Sequence, residues 1–149
     1  MLAEEQTIED AQEEIVEEFD LFGDDPDLRN SYIIDLGRKL GPLPEQFRTD
    51  ANLVRGCQAL VWVHPERRGG RLFFHADSNA AIPKGLIALA LRLYSGRTPE
   101  EILRTPPDFI ERIGMSRHIS SSRANGLQAV IARVKQEAQA AVADAAGEH

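Results

Sequence analysis

Residues 60–76, "LVWVHPERRGGRLFFHA", decide the fold class. The stretch contains two short runs of β-branched and aromatic residues, "LVWV" at 60–63 and "RLFFHA" at 71–76. Such side chains fit a pleated, half-buried surface, so both runs read as strands. Between them, "PERRGG" is turn chemistry: proline presets one dihedral and glycine accepts positive φ. The expectation is an antiparallel hairpin, and a fainter strand signal covers Asn52 to Arg55.

Outside the hairpin the apolar period changes from two to three or four. Ile8, Ala11, Ile15, Phe19 and Phe22 form one stripe, which predicts a helix over 7–22. "GDDPD" ends that helix and starts another, with Asp25 as cap and Pro26 in the first helical position. Leu28, Tyr32, Ile33, Leu36 and Leu40 are the expected buried face of the second helix, and "GPLP" at 41–44 stops it. Residues 45–53 read as a connecting loop. "DSNAAIPKGLIALALRLYSG" follows the hairpin, with Ser78 or Asn79 as expected cap, and is apolar nearly all round between Leu86 and Leu93. A helix of that kind belongs inside a core. "TPEE" at 98–101 is a capping box, with Pro99 in the first position. A last helix is expected from Ser121 to Ala143, buried through Leu127, Val130, Ile131 and Val134, with fraying beyond Gln139. A small antiparallel sheet packed by helices is an α+β fold, and 149 residues suit a single domain.

Composition excludes several classes. No run approaches the roughly 18 apolar residues of a membrane helix. The acidic start "AEEQTIEDAQEEIVEE" is unlike a secretory leader, so a cytoplasmic location is expected. The net charge of −7 is unevenly spread: residues 1–27 hold twelve acids and no Lys or Arg, while the rest holds twelve acids and seventeen bases. Such a run usually solvates a helix face; the sharper reading is a basic body that meets the acidic surface of a partner. The arginines are scattered without interleaved aromatics, which argues against nucleic acid.

The chain has one cysteine, Cys57, in "RGCQALVWV" at 55–63. It therefore forms no internal disulfide and no cysteine-rich metal cage. A lone cysteine is often just a small buried hydrophobe. Cys57, however, stands at a loop-to-strand junction beside Gly56, where chemistry is often carried. Arg55 and Arg123 are candidates to favour its thiolate. A thiol hydrolase needs a histidine base, yet no signature ties His64, His75, His118 or His149 to Cys57. A redox pair needs a second thiol. Sulfur relay needs only one: a thiolate takes the outer sulfur of a partner's persulfide and passes it on.

"YIIDLGRKL", "RGCQALVW", "DSNAAIPKGLIAL" and "SRHISSSRANGLQAVI" resemble, in order and spacing, the SufE family of sulfur acceptors, which includes CsdE-like proteins. The resemblance runs from about Ser31 to Ile131. It implies an α+β fold like that of IscU-type scaffolds. It implies a sulfur acceptor and activator of a group II cysteine desulfurase (SufS/CsdA-like), which supplies the pyridoxal phosphate. Sulfur would pass onward to an iron–sulfur scaffold, with no metal or cofactor held by this chain. By position, Cys57 matches the persulfide carrier, and Gly56 and Gln58 match its neighbours in the active-site loop. In the family that loop shelters the thiol and swings it outward. Asp77, Ser78 and Arg123 match positions around the loop or docking surface, although helix capping equally explains Asp77 and Ser78. Arg123, a base in the first turn of a helix, runs against the dipole preference there. Ala59 and Asn79 depart from the pattern, where relatives carry serine and aspartate. The rival reading is a non-catalytic module that binds and regulates a desulfurase. Trp62 reads as a core strand residue, and Lys84 with Gly85 as a place of close packing.

Overall fold

The computed structural model describes residues 6–57, 59–113 and 121–147, with side chains of 121–125 and 147 left aside. Its elements are α1 (Ile8–Asp20), α2 (Pro26–Arg38), β1 (Val61–Arg68), β2 (Arg71–Ser78), α3 (Ala81–Tyr94), α4 (Pro99–Arg104), α5 (Phe109–Arg112) and α6 (Ser121–Gly147). Two 3₁₀ turns, Glu45–Phe47 and Asp50–Asn52, break the loop after α2.

The expected hairpin is present, but its turn is tighter than "PERRGG" suggested. Only Gly69 and Gly70 turn, at φ 61° and 79°. Two consecutive positive φ values make a two-residue turn that matches strand twist. Pro65 to Arg68 continue β1, with Pro65 opposite Phe74 and Arg68 opposite Arg71. A proline is tolerated there because Pro65 and Phe74 form a pair without ladder bonds: Phe74 N–H points away from β1, to Ser95 Oγ at 2.9 Å, so no N–H is required of Pro65. The outer edge of β2 is also paired, Leu72 N–H to Arg97 O at 2.8 Å and Gly96 N–H to Leu72 O at 2.7 Å. The faint third strand is a single bridge, Leu53 to Trp62.

Val61, Val63, Leu72, Phe74 and Ala76 turn inward onto α3 and α6. Helix α3 is the centre of the core, with Leu86, Ile87, Leu89, Ala90, Leu91 and Leu93 all buried. Across it lies α2, where Gly37 and Gly85 bring the two backbones into contact. The stripe of α1 is buried from Ile8 to Phe19, while Phe22 is half-buried, edge-on to Phe19. Thr7 caps α1 and Asp25 caps α2, with Pro26 in its first turn. Thr98 and Glu101 form the capping box of α4.

Three expectations change. Leu28 is half-exposed, and Arg29 takes the inward position on α2 together with Ile33 and Leu36. Spacing of four and three residues explains this: a stripe through 29, 33 and 36 excludes 28. The Arg29 guanidinium donates to the carbonyls of Gly23 and Ile113 and lies over the Phe19 ring. Ser78 and Asn79 do not cap α3, whose cap is Ala80 without a side-chain bond. Helix α6 continues to Gly147 rather than ending at Ala143. Ala138 and Ala141 are buried, and Asp144 pairs with Arg67 at the hairpin end at 2.7 Å, so the tail is held past Gln139. "GMSRHIS", with His118, lies outside the described residues, as does His149.

The acidic first helix finds its partners within this chain. Glu14 and Glu18 pair with Arg92 of α3, and Glu13 with Arg112 of α5. Two bases of the body, Arg92 and Arg112, are thus paired within the chain and not with a partner. No helix among the described residues is long and apolar enough to cross a membrane.

Candidate functional site

Cys57 lies near the tip of a short loop whose stem is closed by backbone pairing. Val54 N–H donates to Val61 O at 2.8 Å, beside the Leu53–Trp62 bridge. A second tie comes from the far end of the hairpin. Leu60 N–H donates to Asn79 Oδ1 at 3.0 Å, and Asn79 N–H to Leu60 O at 3.3 Å. Asn79 thus has a structural task that an aspartate oxygen could also perform. Gly56, at φ 95°, turns the loop in a region that suits glycine.

The loop lies against α6. The Cys57 thiol is half-buried and donates to the Gly126 carbonyl, with sulfur and oxygen 3.6 Å apart. Gly126 has no Cβ; one placed there would lie 3.6 Å from the sulfur. Further along α6, Arg133 donates to the carbonyls of Leu53 (3.2 Å) and Ala51. Burial pushes the thiol above the ordinary cysteine value. Arg55, expected to favour the thiolate, is exposed and does not offset that burial. The thiol at rest is therefore protonated near neutrality. Arg123 falls in the first turn of α6 with its side chain outside the described set, and Gln58 is likewise not described.

Asp77, at the end of β2, is buried and well partnered. It accepts from Arg48, from Lys84 at 3.2 Å and from Ser78 N–H at 2.8 Å. Burial alone would raise its carboxyl, but the bonds from Arg48, Ser78 and Lys84 leave it lowered. Ser78 Oγ accepts from Ala80 N–H at 3.3 Å. Arg48 also lies 4.9 Å above the ring of Trp62, which is half-buried rather than fully in the core. With Leu60 half-exposed nearby in the chain, these residues make a mixed apolar and basic surface beside the loop stem.

The hairpin histidines are engaged away from the thiol. Phe47 stacks on His64 with centroids 3.8 Å apart. Asn52 Nδ2 donates to Phe47 O at 2.9 Å and meets His64 Nδ1 at 3.1 Å. The first bond fixes the amide nitrogen, so His64 Nδ1 must accept and the ring proton is on Nε2. His75 Nε2 meets Glu66 Oε1 at 2.7 Å. Among the described residues, no group of three or more His, Cys, Asp or Glu could hold a metal.

A pH effect follows. Burial, then His75, holds His64 below its ordinary value. Protonated His64 would also turn a donor toward Asn52. The unfolded chain therefore binds a proton more readily than the folded one, and stability is expected to fall as pH drops through about 6.5 toward 5. Most carboxylates titrate below that window. Urea unfolding at stepped pH should show the slope in the wild type and a reduced slope in His64→Gln; equal slopes would refute it.

Residues 13–138 match the model of SufE, an Fe-S metabolism associated domain. The chain belongs to the SufE family. An uncharacterized SufE-like protein of Rhizobium meliloti is 39% identical over 132 residues, covering 85% of this chain and 94% of that protein. A SufE-like protein of Rhizobium etli is 36% identical over 132 residues, covering 85% and 88%. One from Synechocystis is 35% identical over 114 residues, covering 76% and 72%. The solution structure of a hypothetical protein from Thermus thermophilus matches with a TM-score of 0.74 at 23% identity, covering 89% of this chain and 96% of that one. That likeness supports the SufE-like α+β fold. Through its SufE family membership, the chain is associated with iron–sulfur metabolism.

Sequence reasoning singled out Cys57 and Gly56 but missed Gly126, Arg133 and the task of Asn79. Only one signal was available: Gly126, Ala129 and Arg133 recur at helical spacing, so they share a face of α6.

Proposed function

We propose that this SufE-family chain accepts sulfur on Cys57 from a pyridoxal-phosphate cysteine desulfurase, stimulates that enzyme, and passes the sulfur to an iron–sulfur scaffold in the cytoplasm. One observation carries the reading. The chain's single thiol is presented on a loop closed at its stem, half-sheltered against α6, and among the described residues neither a histidine base nor a metal set is in contact with it. That arrangement suits a thiol which must be both protected and delivered.

The step balances without an outside oxidant. The Cys57 proton goes to solvent or a base, and the thiolate attacks the outer sulfur of the donor persulfide. A new S–S bond forms on Cys57 as the donor's S–S bond breaks, and the donor leaves as a thiolate. Gly56 turns the loop for this delivery, and Gln58 follows the thiol. Docking would draw on the surface beside the stem. There, Asp77 orients Arg48 and Lys84, and Ser78 holds the entry to α3; Arg123, in the first turn of α6, is the further docking candidate.

Intact mass tests it. Incubated with a group II desulfurase and cysteine, without reductant, the wild type is expected to gain the mass of sulfur atoms and Cys57→Ser to gain none. Desulfurase stimulation that persists in Cys57→Ser, with no mass gain in the wild type, would replace relay by a purely regulatory module.

A further inference from the structure

Leu21 is 83% exposed and Leu28 50%. Large apolar side chains left singly on a surface are ordinary, but these two belong to one corner, where α1 hands over to α2. Leu28 shares a face of α2 with Tyr32, one turn on. The half-buried Tyr32 ring meets Phe22 at 5.1 Å, and Leu21 precedes Phe22 in the chain. The corner is firmly built. Asp25 caps α2, Arg29 donates to the Gly23 carbonyl, and Phe22 stands edge-on to Phe19. An ordered turn therefore holds the leucines outward, which lowers the ordering cost of binding there.

Charge says what this apolar patch fits. Residues 17–27 hold six acids and no Lys or Arg. Glu18, like Glu13 and Glu14, is paired inside the chain. Glu17, Asp20 and Asp27 are exposed and bridge no base among the described residues. A second copy, at a net charge of −7, is repelled as a whole. Nucleic acid and anionic lipid carry the same sign as the rim. A basic protein surface is attracted.

We infer that the α1–α2 corner is a docking surface for a basic protein partner, which seats apolar side chains on Leu21 and Leu28 and sets Lys or Arg against Glu17, Asp20 and Asp27. The corner lies away from the thiol loop. Tyr32 Oη meets Arg92 Nη1 at 3.3 Å near the end of α3, whereas Asn79, which ties the loop stem, precedes its start. At 1.5 Å per residue, α3 separates the two regions by about 20 Å. A partner at the corner therefore leaves Cys57 open to a different one. The surface does not depend on Cys57 being the sulfur carrier.

Amide NMR shifts of the full, nitrogen-labelled chain test this, with a synthetic amphipathic helix of Leu and Lys as the probe. The peptide is expected to shift Asp20 to Tyr32, to leave Gly56 and Cys57 unmoved, and to bind more weakly as salt rises. Leu21→Ser with Leu28→Ser should weaken it about tenfold through loss of the apolar anchors. Asp20→Asn with Asp27→Asn should weaken it by a similar factor, and both double variants should melt near the wild-type temperature. Should the serine pair not fold, the asparagine pair decides. A counterpart peptide of Leu and Glu should not bind. Shifts spread over acids elsewhere, equal binding of both peptides, or unchanged affinity in the folded variants would overturn the assignment. So would corner shifts that grow with protein concentration alone, since a second copy would then be the occupant. Cys57→Ser should bind the peptide as the wild type does. Failure here thus leaves the mass-gain test of sulfur carriage intact, and absence of mass gain leaves this surface standing.

Discussion

Gly85→Ala is expected to destabilise the fold by about 3 kcal/mol, at the upper end of the usual cost of overpacking. A Cβ at Gly85 would lie 2.0 Å from the Ile33 carbonyl oxygen and 2.7 Å from its carbonyl carbon. These are backbone atoms inside α2, so no side chain can rotate away. The helices must separate, and α3 is the element on which the rest of the core packs. Gly37 is the reciprocal half of the contact, since its Cβ would lie 2.9 Å from Gly85 N. Helix propensity works the other way, because alanine is favoured over glycine by about 1 kcal/mol in a helix interior. Equilibrium urea unfolding should therefore report a net loss. A variant at least as stable as the wild type would mean that α2 and α3 can part without cost.

Gly56→Ala is expected to cost about 1–3 kcal/mol for a different reason. Space is not the obstacle, because the nearest atom to the added Cβ is the Ala129 Cβ at 3.5 Å. The backbone is the obstacle: φ of 95° is rarely adopted by an L-residue. Relief requires the peptide to rotate, and Cys57 is the next residue. Unfolding and thiol labelling should change together, with lower stability and faster alkylation. D-alanine, introduced by semisynthesis, suits positive φ and should restore both. Wild-type labelling in the L-alanine variant would show that the loop absorbs the change without moving the thiol.

Local patterns in the sequence were enough to place most elements. The stripes of α1 and α3, the caps at Asp25 and Thr98, and the paired strands all depend on neighbours within a turn or a strand. What misled was set at long range. "PERR" reads as a turn unless one knows that Phe74 sends its N–H to Ser95 rather than to Pro65. Arg29 faces inward because distant groups satisfy it, the Ile113 carbonyl and the Phe19 ring. The same holds at the site. Cys57 was legible because it is unique, and Gly56 because it precedes it. Gly126 and Arg133 act from a helix some seventy residues away, and their partners are backbone carbonyls, which carry no residue code. The expectation for Arg55 failed for a related reason, since it is close in sequence but exposed, while burial against α6 dominates.

The closed stem of the loop also sets a working radius. Pairing at Val54 and Val61 leaves Arg55, Gly56 and Cys57 as the tether on one side. Three fully extended residues span about 10 Å. Cys57 is thus a short wand and not a swinging arm. With the stem intact, a donor sulfur held deeper than that beneath an enzyme's surface stays out of range. Under the proposed sulfur relay, exchange would then belong to an embrace of two surfaces, and a partner that keeps its sulfur in a deep pit would have to bring it upward or unzip the stem.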